Sequence, residues 1–414
     1  MIGRVRSPER EMNMDRKKNV SRREFIRTSA VAGAAAAFTI VKPESVRGTV
    51  ANDAVSLVWV GLGGRGTEDA KGLTNSGARI VGLADLFQDK VDLARKTYSD
   101  VPESNCFTGF DAYKKVMELQ SDAVMLVTPP GFRPEQFSAA VAAGKHVFME
   151  KPIATDTFGC RTVLSTGEEA RARKLSVVVG LQRRYSVNYR EAQKRVTSGA
   201  LGTIVSGRGF YLTSDVWGGR TWPRADFPTE LHWMAKNWYY FRSLSGDLIT
   251  EQNIHNLDAC NWLLGGHPIR CTGYGGRKWR KYIGDIYDHF NVTFEYPEGV
   301  HLTFMSGQFC TIHDSSEQIL GTDGVFTNPG REGMKIDGKN PWEAAPGDDA
   351  NKNEYEAFLD SVRRGEPRAD TQHAVDGTFV TILGREAAYR RKEMEWDELW
   401  KENQQLERKT YPVS

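Results

Sequence analysis

The amino-acid sequence, 414 residues long, predicts an α/β domain with a parallel, doubly wound sheet, followed by an α+β domain with a mostly antiparallel open sheet. Three observations predict this. A buried strand, residues 55–60, runs into a glycine-rich loop, and short apolar strands then alternate with helices. Later strands have period-two character and hairpin turns. We expect a leader at 1–50, the first domain at 51–180, and the second at 181–414 with C-terminal helices packed on its sheet.

The leader differs in composition from the rest of the chain. A basic stretch, MDRKKNVSRREFIR, precedes fourteen small, mildly apolar residues at 28–41. These are too few to span a hydrocarbon core, which needs about 20, and they fit a signal-peptide core. Arg22, Arg23 and Phe25 resemble a twin-arginine signal. We therefore expect the twin-arginine export machinery as a partner and a periplasmic or otherwise exported protein.

Charge and cysteine content exclude several classes of partner. The first 37 residues hold nine Lys or Arg against four Asp or Glu, and the remaining 46 basic and 49 acidic residues give a formal charge of −3. That body offers no basic surface for nucleic acid or an anionic membrane. The five cysteines lie far apart without a C-x-x-C pair, so neither a disulfide framework nor a zinc site is expected.

The glycine-rich loop predicts a Rossmann dinucleotide-binding domain. It follows an apolar strand and opens a helix, so backbone N–H groups can face a pyrophosphate. The next strand ends at Asp85, nineteen residues after Gly66, where a carboxylate can accept from ribose hydroxyls and repel a 2′-phosphate. This favours NAD over NADP, although Arg65 could attract such a phosphate. The loop residues expected to bind the cofactor are Gly61, Gly63, Gly64, Arg65 and Gly66.

Two later strands end at the same edge of this sheet. One ends at Thr128 and Pro129, and the next ends in Glu150-Lys151-Pro152. With the glycine loop, this strand end resembles the glucose–fructose oxidoreductase, inositol dehydrogenase and rhizopine-catabolism (Gfo/Idh/MocA) family, over roughly residues 54 to 400. The resemblance implies that Lys151 reaches the nicotinamide and the substrate. The further cofactor contacts expected are Asp85, Thr128, Pro129, Glu150, Lys151 and Gln182.

The second domain opens with a segment rich in aromatic residues. Gln182 and Tyr185 lie where the chain crosses between domains, and we expect both to face the cleft. The aromatic residues within 210–243 show no clear periodicity and include Trp217, Trp222, Trp233, Trp238, Tyr239 and Tyr240. These rings either anchor a long loop on the sheet or form an apolar surface on which the C–H faces of a sugar stack. We assign Trp238 to substrate binding.

A helix predicted from Thr250 to Leu264 carries the remaining candidates. Glu251, His255 and Asp258 share one face at i, i+4 and i+7. A carboxylate one turn from a histidine can hold its tautomer and raise its basicity. In the family this helix carries the catalytic His, which His255 matches. Family dehydrogenases typically have Asp where this chain has Glu251. A metal held by Glu251, His255 and His289 is not expected.

The resemblance implies a hydride transfer between a sugar or sugar-derived alcohol and tightly bound NAD. His255 or Lys151 would take the hydroxyl proton, Lys151 would stabilise an alkoxide, and Glu251 would orient His255. The cofactor must dissociate slowly, because an exported protein has no obvious supply. The open alternatives are a redox-neutral glycosidase acting through a 3-keto sugar, with Tyr185 or His289 as an extra base, and a non-enzymatic binding protein. Asp258 and His289 are expected near the substrate, and family analogy favours a homo-oligomer.

Overall fold

The computed structural model describes residues 54–330 and 333–407. The predicted leader therefore lies outside the described residues. Within them, no helix is both long enough and apolar enough to cross a membrane. The described chain has two sheets, and each belongs to one of the two predicted domains.

The first domain contains the parallel, doubly wound sheet that the sequence predicted. Its strand order is β3-β2-β1-β4-β5-β6, and every paired neighbour is parallel. The central strands are buried on both faces because helices cover them, and Trp59, Met125 and Phe148 have no exposed surface. The strands are β1 (Val55–Val60), β2 (Ala78–Asp85), β3 (Cys106–Thr108), β4 (Ala123–Leu126), β5 (His146–Met149) and β6 (Val177–Val179). The helices are α1 (Gly64–Asn75), α2 (Gln88–Thr97), α3 (Ala112–Met117), α4 (Arg133–Ala142) and α5 (Thr157–Ala172).

The second domain contains a larger sheet, which is antiparallel except for one pair of neighbours. Its order is β14-β13-β12-β11-β7-β10-β9-β8-β15, with β7 and β10 parallel. The strands are β7 (Ile204–Thr213), β8 (Arg270–Gly276), β9 (His289–Glu295), β10 (His301–Gln308), β11 (Glu317–Gly321), β12 (Gly324–Asn328), β13 (Lys335–Gly338), β14 (Trp342–Glu343) and β15 (Met394–Glu395). The helices of this domain that precede β8 in the chain are α6 (Val187–Thr197), α7 (Glu230–Lys236), α8 (Arg242–Ser245), α9 (Leu248–Glu251) and α10 (Ile254–Leu264).

The C-terminal helices join the two domains. They are α11 (Ala350–Arg364), α12 (Thr371–Arg390) and α13 (Trp396–Glu402). Helix α12 is buried on most of its circumference and packs against β8, α5 and α10. On α11, the Tyr355 hydroxyl donates to the buried carboxylate of Asp69 on α1, at 2.8 Å. These helices act as scaffold, because they hold both sides of the cleft in place.

Two elements differ from the prediction. The helix predicted from Thr250 to Leu264 is interrupted: α9 ends at Glu251, and α10 begins at Ile254. The short strand β3 was not predicted, because its three residues are half-exposed or exposed and show no apolar pattern. The interruption separates Glu251 from the helix that carries His255.

Candidate active site

A cleft of about 770 Å³ lies at the carboxyl ends of the parallel strands. This volume falls within the range of about 300–1,000 Å³ typical of ligand pockets, and the position is where open α/β sheets bind ligands. Every residue predicted to bind the cofactor lines it: Gly61, Gly63, Gly64, Arg65, Gly66, Asp85, Thr128, Pro129, Glu150, Lys151 and Gln182.

The glycine loop fits a pyrophosphate. Gly61 has φ +92°, and a Cβ there would lie 2.6 Å from the Thr128 backbone nitrogen. At Gly63 and Gly64 an added Cβ would meet only open space, so both backbones border the cleft without obstruction. Helix α1 begins at Gly64, after an N-cap residue without a side chain. Its first N–H groups therefore remain available to an anion.

Asp85 lies at the end of β2 and at the outer end of the cleft. Its carboxylate accepts from the backbone N–H groups of Leu62 (2.7 Å) and Phe87 (2.9 Å). Burial raises the pKa of Asp85, while these two N–H groups oppose the shift. The backbone bonds fix the carboxylate at the cleft, in the position from which such a residue accepts from ribose hydroxyls.

Arg65 is engaged with carboxylates beneath the glycine loop. Its guanidinium lies 2.8 Å from Glu150 and 2.9 Å from Asp69. Burial opposes its charge, but the two carboxylates outweigh burial and raise the pKa of Arg65. The side chain is therefore tied to the end of β5 and to α1.

Lys151 and Glu251 meet at the inner end of the cleft. The Lys151 ammonium donates to the Glu251 backbone carbonyl at 2.7 Å and to its carboxylate at 3.2 Å. The two side chains are only 12% and 10% exposed, so this contact is shielded from bulk water. His255 also lines the cleft, close enough to Lys151 for the charge of that ammonium to lower the pKa of the imidazole. The strand end and the interrupted helix thus bring the three predicted catalytic residues together.

His255 has surroundings opposite to those expected from the sequence. Burial, and then the positive charges of Lys151, Arg183 and Arg65, lower its pKa well below the usual range. Its Nδ1 atom is buried without a hydrogen-bond partner in the described part of the chain. The Glu251 carboxylate contacts Lys151 and Gln252 instead, because the interruption after α9 takes it off the helix that carries His255. The expectation that Glu251 orients His255 and raises its basicity is therefore corrected.

Gln252 completes a chain of hydrogen bonds behind Glu251. The Tyr211 hydroxyl donates to the Gln252 side-chain oxygen at 2.8 Å, and the Gln252 amide donates to the Glu251 carboxylate. Gln252 also lines the cleft. Burial, and then the Glu251 charge, raise the pKa of Tyr211 to about 12, so its hydroxyl keeps its proton at neutral pH. We did not predict either residue, although the polar run Glu-Gln-Asn inside an apolar helix was a usable signal.

The rings of the aromatic segment divide between the cleft lining and the buried clusters. Trp217, Trp222 and Trp238 line the cleft. Trp233, Tyr239 and Tyr240 are buried in clusters that hold the segment on the domain. The first set places apolar rings in the cleft lining, and the second set packs the segment on the domain.

Three predicted substrate residues do not reach the cleft lining. Tyr185 is buried in the first domain's core and donates to Asp370 at 2.6 Å. Asp258 is buried and pairs with Arg184 at 2.7 Å, because the shift between α9 and α10 turns it from Glu251. His289 begins β9 and pairs with its neighbour Asp288. No group of three or more His, Cys, Asp or Glu side chains in the described ranges is placed to hold a metal.

Fold and site together are those of a nucleotide-dependent oxidoreductase, with the candidate catalytic groups between a Rossmann domain and an α+β domain. Residues 55–180 match the model of the oxidoreductase family with an NAD-binding Rossmann fold, and residues 189–327 match the GFO/IDH/MocA C-terminal domain. The chain belongs to the GFO/IDH/MocA family of oxidoreductases. Residues 19–39 match the twin-arginine translocation signal sequence, so the protein is exported by that pathway.

Similar proteins include several dehydrogenases. Inositol 2-dehydrogenase 3 of Saccharopolyspora erythraea is 26% identical over 78% of this chain and 89% of its own. The NAD(+)-dependent scyllo-inositol 2-dehydrogenase of Bacillus subtilis is 24% identical over 65% and 72%. Among solved structures, an aldose-aldose oxidoreductase from Caulobacter crescentus complexed with glycerol has a TM-score of 0.66 at 19% identity, covering 83% of this chain and 99% of its own. A Lactobacillus casei scyllo-inositol dehydrogenase with NAD(H) and scyllo-inositol has a TM-score of 0.64 at 20% identity, covering 83% and 99%. These two structures support the fold.

Proposed function

We propose that the protein oxidises a secondary hydroxyl of a sugar or cyclic polyol, with NAD held tightly in the cleft as hydride acceptor. The observation that carries the proposal is the meeting of Lys151, Glu251 and His255 at the inner end of a cleft whose glycine loop fits a pyrophosphate. Binding alone would not require a shielded ammonium beside an uncharged imidazole. The relatives named above as inositol dehydrogenases support a polyhydroxylated ring as the class of substrate.

The residues divide the proton chemistry between them. When bound, the nicotinamide supplies the acceptor for the hydride that leaves the carbinol carbon. His255 is uncharged at neutral pH because its pKa is lowered, and it accepts the hydroxyl proton. The Lys151 ammonium stabilises the negative charge that develops on the substrate oxygen, and Glu251 holds that ammonium in place. Alcohol becomes ketone, and two electrons pass to the cofactor.

Two features support NAD and its slow release. Asp85 places a carboxylate at the ribose end of the cleft, and Arg65 is engaged with Glu150 and Asp69. Both features disfavour a 2′-phosphate. Because the twin-arginine route carries the protein away from the cytoplasmic cofactor supply, a loosely held dinucleotide would be lost after export.

The glycosidase alternative lacks a supporting observation. That chemistry needs a further base at the carbon next to the ketone, and its two candidates, Tyr185 and His289, lie outside the cleft lining. We therefore do not propose it.

The test is native mass spectrometry of the exported protein, followed by mixing with polyols. We expect one dinucleotide of the mass of NAD per chain, and the same spectrum counts the subunits of the expected homo-oligomer. Adding myo-inositol, scyllo-inositol or an aldose should then raise absorbance at the wavelength of the reduced nicotinamide. A protein that is empty and takes up neither NAD nor NADP would overturn the proposal. Deuterium from solvent at C2 of a recovered glycoside would favour the elimination route instead.

A further inference from the structure

A segment of the second domain crosses the outer end of the cleft. The segment comprises residues 227–236 and includes helix α7. Leu231, Ala235 and Lys236 of α7 line the cleft together with Asp85 and Phe87 of the first domain. The adenosine half of the cleft is therefore bounded by both domains.

One set of contacts joins this segment to the loop after β2 and to the first turn of α2. The Lys236 ammonium lies 3.1 Å from the Asp89 carboxylate and 4.4 Å from the centre of the Phe87 ring. The Phe227 ring meets Phe87 edge to face, with centroids 6.2 Å apart. This loop carries the residues that directly follow Asp85, so the contacts lie beside the ribose position.

A second contact joins the segment to the loop after β3. His232 of α7 meets the ring of Phe110 edge to face, with centroids 4.7 Å apart. Thr229 holds the imidazole at 2.6 Å and also caps α7. Phe110 lines the cleft, whereas His232 and Phe227 do not. The segment thus contacts two loops of the first domain, one after β2 and one after β3.

The base of the segment packs in a buried apolar cluster that also includes Phe132 of the first domain. Trp233 and Met234 are buried, and the Trp233 indole donates to the Trp222 carbonyl at 2.8 Å. The contacts at Phe110 and Asp89 lie at the periphery of this cluster and are partly exposed: Phe110 is 37% exposed and the Asp89 side chain 63%. Such peripheral contacts can open before the buried cluster does.

We propose that residues 227–236 form a clasp that completes the adenosine half of the dinucleotide site and retains the cofactor after export. The inference rests on the proposed function, and it adds that a second-domain segment controls release. A dinucleotide that leaves adenosine-first must part the segment from both loops. Loss of the Phe227 or the His232 contact should therefore speed cofactor exchange at least tenfold.

The experiment measures exchange of bound cofactor in the purified holoprotein. Wild type and the variants Phe227→Ala and His232→Ala are incubated with excess isotope-labelled NAD, and native mass spectrometry follows the change of mass. Phe158→Ala and His301→Ala are the matched controls, because both side chains are exposed and lie outside the cleft. The two clasp variants should exchange at least tenfold faster than wild type, and the two controls should match wild type.

A double variant distinguishes a broken contact from general loosening. Phe110→Ala and His232→Ala remove the two partners of one ring pair, so the double variant should exchange no faster than the faster single variant. Equal exchange in wild type and clasp variants, with NAD bound throughout, would overturn the clasp and leave the proposed function standing. If the rate increases of the two single variants multiply in the double variant, the clasp proposal would also be overturned. A wild type that binds no dinucleotide would overturn both proposals.

Discussion

Lys151 is the residue whose contacts bear most directly on catalysis. Its ammonium is held by the Glu251 carbonyl and carboxylate in a shielded position. Removing one group that stabilises a developing oxyanion lowers kcat by about 10²–10³-fold. We expect Lys151→Met to lower kcat by at least 10²-fold, because no ammonium remains to stabilise the developing alkoxide.

The measurement is reduction of the bound cofactor in a single turnover. Native mass spectrometry is the control, because the variant should retain its dinucleotide on the glycine loop. A kcat within threefold of wild type would contradict the role given to Lys151.

His255 should remain uncharged well into the acid range. Burial and the cations Lys151 and Arg183 lower its folded-state pKa, so it binds a proton only at a pH below that of an ordinary histidine, about 6.5. We expect its ring NMR signals, assigned by comparison with His255→Gln, to stay constant from pH 7.5 to 5.5. A histidine peptide in the same buffers should shift over this range, and a shift of His255 near pH 6.5 would refute the prediction.

The same lowered pKa affects stability with a definite sign. The unfolded chain takes up the proton at this position near pH 6.5, whereas the folded chain does not, so acidification below that value favours unfolding. The energetic contribution of neutral His255 is therefore complete above pH 6.5 and is lost progressively as the pH falls.

Tyr211 is expected to position Glu251 through Gln252. Its hydroxyl holds the Gln252 oxygen, which leaves the Gln252 amide free to donate to the carboxylate. We expect Tyr211→Phe to lower kcat about three- to thirtyfold, because the Glu251 carboxylate is no longer held in its orientation. KM and the amount of bound NAD should change little. Initial-rate kinetics test this, with Tyr274→Phe, an exposed tyrosine outside the cleft, as control. A rise in KM alone would indicate a substrate contact instead.

At the residue scale, the sequence predicts which residues lie at the cleft better than it predicts which side chains they contact. Lys151 follows a buried strand, and the carboxyl ends of parallel strands share one edge, so its place in the cleft could be read from the chain. The partner of Glu251 could not, because it depends on where the helix is interrupted. Tyr185 was placed in the cleft by proximity to Gln182, but its ring turns inward to Asp370.

At the scale of elements, Asp247 fixes the start of α9 and thereby the position of Glu251 at the end of that helix. It is buried at φ +78°, a left-handed conformation that favours glycine, and its carboxylate accepts from Leu248, Tyr287 and Tyr389. Burial raises its pKa to about 6, so the carboxylate is charged at pH 7. The helix thus begins at a strained residue that three hydrogen bonds hold in place.

Substitutions at Asp247 should separate strain from hydrogen bonding. Asp247→Ala loses the bonds and keeps the strain, whereas Asp247→Gly loses the bonds and relieves it. We expect the Gly variant to be more stable than the Ala variant by about 1–2 kcal/mol, with Asp247→Asn closest to wild type. Urea unfolding measures these differences, and kcat should fall in the same order because α9 carries Glu251. An Ala variant as stable as the Gly variant would rule out the strain argument.

Element boundaries follow from the sequence where a strong local pattern exists. The strand at 55–60 and the glycine loop that opens α1 were predicted where the structure has them. Strand β3 and the interruption after Glu251 were not, since each depends on tertiary contacts. For β3 these are the pairing with β2, and for the interruption they are the bonds that Asp247 receives from distant tyrosines.

At the scale of the whole molecule, two domains and a cleft between them could be predicted, but the clasp could not. The contacts of Phe227 and His232 join residues more than a hundred positions apart in the chain. Nothing in a local pattern specifies such pairs. The aromatic richness of residues 210–243 indicated a special segment, and the structure shows that its rings divide between the core, the cleft wall and the first domain.

Export and cofactor loading should be separable by changing the signal alone. Residues 19–39 match the twin-arginine signal, whose paired arginines are Arg22 and Arg23. The groups that would hold the dinucleotide all lie beyond residue 60. We expect the double variant Arg22→Lys, Arg23→Lys to stay in the cytoplasm with as much bound NAD as the exported wild type, since loading needs only the folded body and the cytoplasmic supply. Cell fractionation with native mass spectrometry tests this, and Arg27→Lys, outside the pair, should be exported normally. An empty cytoplasmic variant would mean that the protein acquires its cofactor only after crossing the membrane, and the argument for slow release would then fail.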